Sequence, residues 1–350
     1  MPAGITDTDG FAYVGKPAWH GLGVKVEGEA MTSKEAIEAG ELDWKVDTKE
    51  IYTRDNDGNL VTVTGKKAIY RVDTEEVFNI MGSRYTPAQN TEVFKLFDTI
   101  IGEGDAVFHT VGSVHGGRRV WILAKFPSGT KLDNGDELDK YLLLHNSHDG
   151  SSALKMQYTP VRVVCYNTLT AALNDKNVEA NEKFYFKHTS SIINKANEAR
   201  SALQLSNVYF DRFMEQANDL AEKEFDKQDM VALAMAVYNV GDRKYEDLKG
   251  TQSASIDNMV TLFSNGIGNK GETAWDAYNA ITEFSDHHRP IGRSLLTLGQ
   301  HDEMTRDSRL EKTWFGDGQK LRDRAFTILS EDNFRDILHP QPVKAEELPW

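Results

Sequence analysis

The sequence predicts an α+β protein: an N-terminal antiparallel sheet domain with a helix–β-meander–helix core, followed by an α-helical domain. Three observations carry this. The hydrophobic period is mostly two before residue 166 and mostly 3.6 after residue 188. Two turn signals, Asp55-Asn56-Asp57-Gly58-Asn59 and Gly116-Gly117, each separate runs rich in β-branched residues. In the stretch 189–224, Ile192, Ala196, Ala199, Leu203, Phe210, Phe213, Ala217 and Leu220 recur mostly at spacings of three and four, the pattern of one long amphipathic helix. A length of 350 residues fits two domains. They are placed at 1–185 and 186–338, with a loose tail over 339–350.

Taken in order, residues 1–30 are rich in glycine and aromatics and read as an extended arm packed on the body. Met31 to Ala39 reads as a short helix with Thr32 or Ser33 as N-cap and Glu35 near the third helical position. Trp44–Arg54 and Leu60–Val72 read as a hairpin. Thr91 to Ile101 carries Val93, Phe94, Phe97, Ile100 and Ile101 at helical spacing. Ala106 to Val114 and Arg119 to Phe126 form a second hairpin, and Pro127 to Gly135 a loop. Tyr141 to His145, Ala153 to Tyr158 and Val161 to Cys165 continue the meander, and a helix is expected from about Thr168 to Leu173. Beyond the long helix, further helices are expected near 229–239, 255–264, 272–286 and 318–330.

Composition narrows the function classes. The chain is 39% hydrophobic and 27% charged, as in a globular protein with a hydrated surface. No apolar run approaches the roughly 18 residues of a membrane span. The start, MPAGITDTDGFAYVGK, does not have the pattern of a secretory signal. The one cysteine, Cys165, cannot pair within the chain, which fits a reducing cytoplasm. A net charge of −14 argues against a protein that coats nucleic acid over its whole surface. The distribution is uneven: residues 106–170 hold seven Lys/Arg and five Asp/Glu, a local balance of +2 that leaves −16 for the rest. A basic middle between acidic ends suits a nucleic-acid groove on an acidic body, and equally a mixed surface with no such role.

The stretch 145–173 is the most informative. His145 and His148 with Asp149 form H-x-x-H-D, but in a turn before Gly150 the spacing fixes no metal geometry. An Asx-type turn, with Asp149 capping the amides of Gly150-Ser151-Ser152, accounts for it. Cys165 lies among valines, where a thiol is packed and inert. Histidines 287 and 288 close a helix, where the dipole favours them. Gly21-x-Gly23 lacks the rest of a phosphate loop, and neither G-x-S-x-G nor H-E-x-x-H occurs. Acidic pairs such as Glu75-Glu76 and Asp136-Glu137 have no context that would set two pKa values apart. No catalytic constellation, metal site or cofactor site is expected.

The best binding candidates are Arg118, Arg119, Lys125, Lys155 and Arg162, with Trp121, Tyr158 and Tyr166. Cations neutralise phosphates and aromatics stack on bases. In a strand from Arg119, alternation puts Arg119, Trp121 and Lys125 on one face. That face is either a basic–aromatic platform or a half-solvated sheet with Trp121 packed under a helix.

Several stretches carry a resemblance. YVGKPAWHGLG at 13–23, MGSRYTPAQN at 81–90, GGRRVWILAKFP at 116–127, HDGSSALKMQYTPVRVVCYNTL at 148–169 and GETAWDAYNAITEFSDHHR at 271–289 together resemble the phage/plasmid-like protein family, also called domain-of-unknown-function 932. The resemblance spans nearly the whole chain. It implies an origin in a phage, plasmid or integrated element, and no reaction. The order helix, β-meander, helix is also similar to the core of single-strand annealing recombinases, an analogy of fold alone. The expected function is a non-enzymatic mobile-element protein that binds nucleic acid, single-stranded DNA in particular, as a homo-oligomer. The long 189–224 helix would dock on the sheet domain or on another subunit. The competing class is a protein-interaction module, a host-takeover or anti-defence factor whose acidic surface contacts a host protein. No membrane partner is expected.

Overall fold

The computed structural model describes residues 9–15, 23–101, 106–127, 129–162, 185–186, 210–241, 243–289 and 317–339. Sheets fill the N-terminal half and helices the C-terminal half, so the α+β class holds. β1 (Phe11–Val14) and β2 (Val24–Val26) pair in parallel, and β1 also lies antiparallel to a later strand. These residues were expected as an arm. All four residues of β1 are buried, so the strand has no polar alternation to announce it. α1 (Ser33–Ala39) starts as read: Thr32 is the N-cap, and the Thr32 hydroxyl and Glu35 carboxylate form a capping box.

β3 (Val46–Arg54), β4 (Leu60–Arg71) and β5 (Val77–Gly82) make a separate three-stranded sheet. The β3–β4 hairpin follows its turn signal, with Asp55 accepting from the Asp57 and Asn59 amides. β5 had no clear signal, because Asn79 and Gly82 interrupt its alternation. α2 (Asn90–Ile101) buries Val93, Phe94, Phe97 and Ile101, and Phe94 and Phe97 both pack on Phe108.

β6 (Val107–Val114) and β7 (Arg119–Lys125) pair across a turn with Gly116 and Gly117 at positive φ. A side chain at Gly117 would lie 2.6 Å from the Trp44 ring, so glycine is needed for space as well as conformation. The expected 127–135 loop holds a two-residue strand, β8 (Thr130–Lys131). β9 (Glu137–Ser147) is longer than the 141–145 run suggested. β10 (Leu154–Arg162) runs unbroken through Thr159-Pro160. Proline is tolerated there because β11 (Tyr185–Phe186) reaches only Leu154 and Lys155, leaving the rest of β10 an edge among the described residues. The main sheet has the order β11-β10-β9-β7-β6-β1-β2, with β8 beside β9.

Both faces of this sheet are covered. Val120, Ile122, Ala124, Leu142 and Leu144 join the core under α1, α2 and the hairpin sheet. Trp121, Leu123, Tyr141 and Leu143 join Phe11, Tyr13 and Val161 in a second cluster.

In the second half, residues 210–222 are helical (α3), with Phe213, Ala217 and Leu220 buried. Residues 189–209 of the expected 189–224 helix, the expected 168–173 helix and residues 340–350 lie outside the described residues, and Glu224 forms a bridge with Thr273 instead of continuing the helix. α4 (Lys227–Tyr238) and α6 (Ala274–Glu283) carry capping boxes from Asp226 and Thr273. α5 (Thr251–Asn265), α7 (Asp317–Ser330) and α8 (Phe334–Leu338) complete the described helices. Every residue of α6 is buried, and it runs on into a π-helical turn, Phe284–His288. None of the described helices is long and apolar enough to cross a membrane. The β8–β9 hairpin ties the halves together. Leu132 and Leu138 belong to the helical core, Trp275 Nε1 donates to Asp136 at 2.7 Å, and the Asp133 amide donates to Asn218 at 2.9 Å.

Inside the helical core, fully buried Arg322 on α7 donates to the Asp286 carboxylate and to Ser285 Oγ of the π turn. Removing one partner takes the buried ion pair from the other charge. Asp286→Ala should therefore lower stability by about 3–5 kcal/mol, and the apolar pair Asp286→Leu/Arg322→Met should recover much of it. Urea unfolding followed by circular dichroism measures both, and an Asp286→Ala loss below about 1 kcal/mol would contradict this account.

Candidate functional site

Alternation on β7 does place Arg119, Trp121 and Lys125 on one face, but that face is not an open platform. Trp121 is 1% exposed and packs on Phe11, with ring centroids 5.1 Å apart. The expectation of an exposed stacking indole is corrected: parity fixes which residues share a face, and only the layers above decide whether it meets water. Lys125 forms an ion pair with Asp139 at 2.7 Å. Arg118 is on the opposite side, donating to the Phe78 carbonyl at 2.9 Å and the Glu76 carboxylate at 2.7 Å. It thereby fastens β5 to the main sheet. Arg162 stands at the far end of β10, opposite Leu138. The side chains of Tyr158 and Arg162, and residues Cys165 and Tyr166, lie outside what the structure describes.

Two of the candidates do come together. In register, Trp121 and Lys155 lie on either side of His145, and Arg119 lies opposite Ser147. This end of the sheet therefore carries Arg119, His145 and Lys155 on one face, beside the turn that leaves β9. His145 is 2% exposed. Burial, and then the charges of Arg119 and Lys155, push its pKa down to about 3, so the ring is neutral between two cations.

The turn itself is a closed hydrogen-bonded unit. Asp149 Oδ1 accepts from Ser147 Oγ at 2.6 Å and from the Ser151 amide at 2.9 Å, and the Ser152 amide donates to Ser147 Oγ at 3.3 Å. This is the Asx turn read from the sequence. Burial works to raise the Asp149 carboxyl, but hydrogen bonds from Ser147 and Ser151 and the Arg119 charge outweigh it and hold the group below its ordinary value. Arg119 Nη2 also donates to Ser151 Oγ at 3.4 Å. From the other sheet Asn79 Nδ2 donates to the Asp149 carbonyl at 2.6 Å, and from the segment after it Tyr85 Oη donates to the Ser147 carbonyl at 3.4 Å. Burial, then the Asp149 charge, raises the Tyr85 phenol, which stays protonated as a donor.

Below the turn, His148 has different company from His145. It lies between Trp44 and Phe78, with Nε2 at 2.9 Å from Asn90 Oδ1. The H-x-x-H pair is divided between two environments, and no group of three His, Cys, Asp or Glu among the described residues could hold a metal ion. Ser147 has a carboxylate partner, but one held below its ordinary value is a weak proton acceptor. Arg119 and Lys155 are the cations that gather beside this turn.

The stretches 81–90, 116–127 and 148–162 are distant in sequence and meet at this turn. Asn79 and Tyr85 were not foreseen as members. Tyr85 sits in one of the quoted motifs, but no local pattern says that it reaches Ser147. Comparison with known proteins gives one result: the profile of the domain of unknown function DUF932 matches residues 77–321. No curated protein and no solved structure matches the chain.

Acid should unfold the protein through its buried histidines. His109, by burial and then the Lys125 charge, is pushed down to about 4, and His145 to about 3, both from 6.5. A depressed histidine contributes stability that is fully present above pH 6.5 and is lost as pH falls toward the folded value. Each site should give a slope of about 1.4 kcal/mol per pH unit between those limits. Urea unfolding from neutral pH downward should show that slope, with one proton less for His145→Gln; an unchanged slope in the variant would refute the assignment. Gly117 has φ +93, and an added Cβ would sit 2.6 Å from the rigid Trp44 ring, whereas Gly135, φ +92, has open space around it. Gly117→Ala should therefore destabilise more than Gly135→Ala, for which backbone strain alone is about 1–3 kcal/mol. Equal melting temperatures of the two variants would count against the packing of the 116–117 turn on Trp44.

Proposed function

The chain belongs to the domain-of-unknown-function DUF932 family, and from the cationic end of its sheet we propose that it is a non-enzymatic nucleic-acid-binding protein of a phage, plasmid or integrated element. It acts in the host cytoplasm, as its lone cysteine suggests, and its ligand is single-stranded DNA. The observation that supports this reading is the convergence of Arg119 and Lys155 around His145 at one end of one face. Two half-buried cations beside a rigid hydroxyl-bearing turn suit phosphate oxygens, the part of a nucleic acid that carries no sequence information. With Trp121 in the core, base stacking on β7 drops out of the proposal, and binding rests on phosphate contacts. The α2–β6–β7–β9–β10 order keeps the analogy with strand-annealing proteins, at the level of fold alone.

Binding of labelled oligothymidine and of a duplex, followed by anisotropy from about 20 to 200 mM salt, tests the proposal. Arg119→Ala/Lys155→Ala should weaken single-strand binding for every sequence and reduce the log–log salt slope by about 1.4, two contacts at about 0.7 each. Lys125→Ala, which removes a cation already paired with Asp139, should leave the slope unchanged. No binding to any oligonucleotide at the lowest salt would overturn the reading. A protein-interaction role would then take its place, favoured by the exposed apolar residues Tyr52, Leu60, Val77 and Ile80 of the hairpin sheet.

A further inference from the structure

Apolar exposure is concentrated in one part of the protein. Of the ten large hydrophobic residues that stand exposed among the described residues, six (Tyr52, Leu60, Val61, Val72, Val77 and Ile80) belong to the β3–β4–β5 sheet or the turn after β4. Its inner face is occupied: Val46, Ile69 and Phe78 are buried in the main core. The register fixes the outer face. One row across it is Asp47, Tyr70, Val77, the next is Lys49, Ala68, Ile80, and a third adds Lys66 and Gly82. Val77 and Ile80, on the edge strand β5 of this face, are 48% and 52% exposed. Clustering of this kind marks an interaction surface.

The edges of the same sheet are blunted by side chains. Gln89 donates to the Val46 carbonyl and accepts from its amide, so it stands in for a neighbouring strand. The Asp47 carboxylate takes the Thr48 amide. On the other edge Arg118 occupies the Phe78 carbonyl, and the Asn79 side chain takes the Ile80 amide. Growth of the sheet by strand addition is blocked at these points, and packing through the outer face remains.

Charge along the face identifies the occupant. Exposed Asp47 lies in the row at one end and exposed Lys66 in the row at the other, with Tyr70, Val77 and Ile80 between them, while Lys49 of the middle row is paired with Glu75 at 3.9 Å. A two-fold axis lying in the plane of the face and running across the strands sets the Asp47 end of one copy over the Lys66 end of the other and brings the two sets of apolar side chains together. A partner of one sign, such as a nucleic acid, matches one end and is repelled by the other. We propose that this face is a two-fold interface with a second copy of the chain, an isologous contact. The proposal is independent of the nucleic-acid reading, which concerns the other sheet.

The full-length chain, measured by sedimentation velocity and light scattering at micromolar concentration, should be a dimer. Val77→Asp/Ile80→Asp should give a monomer with unchanged circular dichroism, since both side chains are exposed in the protomer. Lys66→Glu should weaken the dimer about tenfold or more, and adding Asp47→Lys should restore it by exchanging the two ends. A wild-type monomer overturns the proposal, as does a folded Val77→Asp/Ile80→Asp variant that remains dimeric. A wild-type monomer whose affinity for oligothymidine falls with the same pair of substitutions would assign the face to nucleic acid instead.

Discussion

The central sheet is buried on both faces, and most of the remaining structure follows from that constraint. On β7 and β9 consecutive residues alternate between two cores, so no long polar stripe can run down either side. Val120, Ile122 and Ala124 face α1, α2 and the hairpin sheet, while Trp121 and Leu123 face the cluster with Phe11 and Tyr141. Polar side chains on these strands are pushed to the strand ends or into pairs. Lys125 is neutralised by Asp139 at one end, and Arg119 and Lys155 gather at the other. A buried charge without such an arrangement would cost more than the sheet could offset.

The same constraint explains the character of the site. His145 is buried at one end of a covered face beside two cations, and burial and those charges keep it neutral. The turn after β9 satisfies its own amides through Asp149 and Ser147, and it is held in place by Asn79 of the hairpin sheet and by Tyr85 just after it. Of the two cations, Arg119 reaches the turn through Ser151 Oγ, and Lys155 stands across His145 on β10.

The two halves of the chain are joined through a small element. The β8–β9 hairpin extends from the main sheet and places Leu132 and Leu138 in the helical core, where Asp136 meets the Trp275 indole. The partly buried Lys140 ammonium lies over the Phe126 and Phe210 rings, one from each half. Burial lowers its pKa, and Asp211 opposes that. The hairpin sheet is joined to the body in two ways: Val46, Ile69 and Phe78 of its inner face enter the main core, and Gln89, Arg118 and Asn79 make polar contacts at its edges. Its inner face is taken up by the core, and its outer face stays exposed.

Much of this was legible in the residues. The capping box at Thr32 and Glu35, the Asx turn at Asp55, the glycine turn at 116–117 and the apolar spacing of α2 are local signals, and each element formed where its signal stood. The shared face of Arg119, Trp121 and Lys125 was equally fixed by strand parity. Local sequence is silent on what covers a face and on which distant segments meet. β1 was hidden because a strand buried on both sides has no alternation, and parity alone left open whether Trp121 was a platform or packed, which its burial decides. The convergence of Asn79, Tyr85, Arg119 and Lys155 on the 147–152 turn depends on strand register between remote segments. The sequence by itself determined the elements and their handed faces, because these depend on backbone geometry and near neighbours. The tertiary structure alone decided exposure, pairing and the site, because these depend on which surfaces are removed from water when the layers pack.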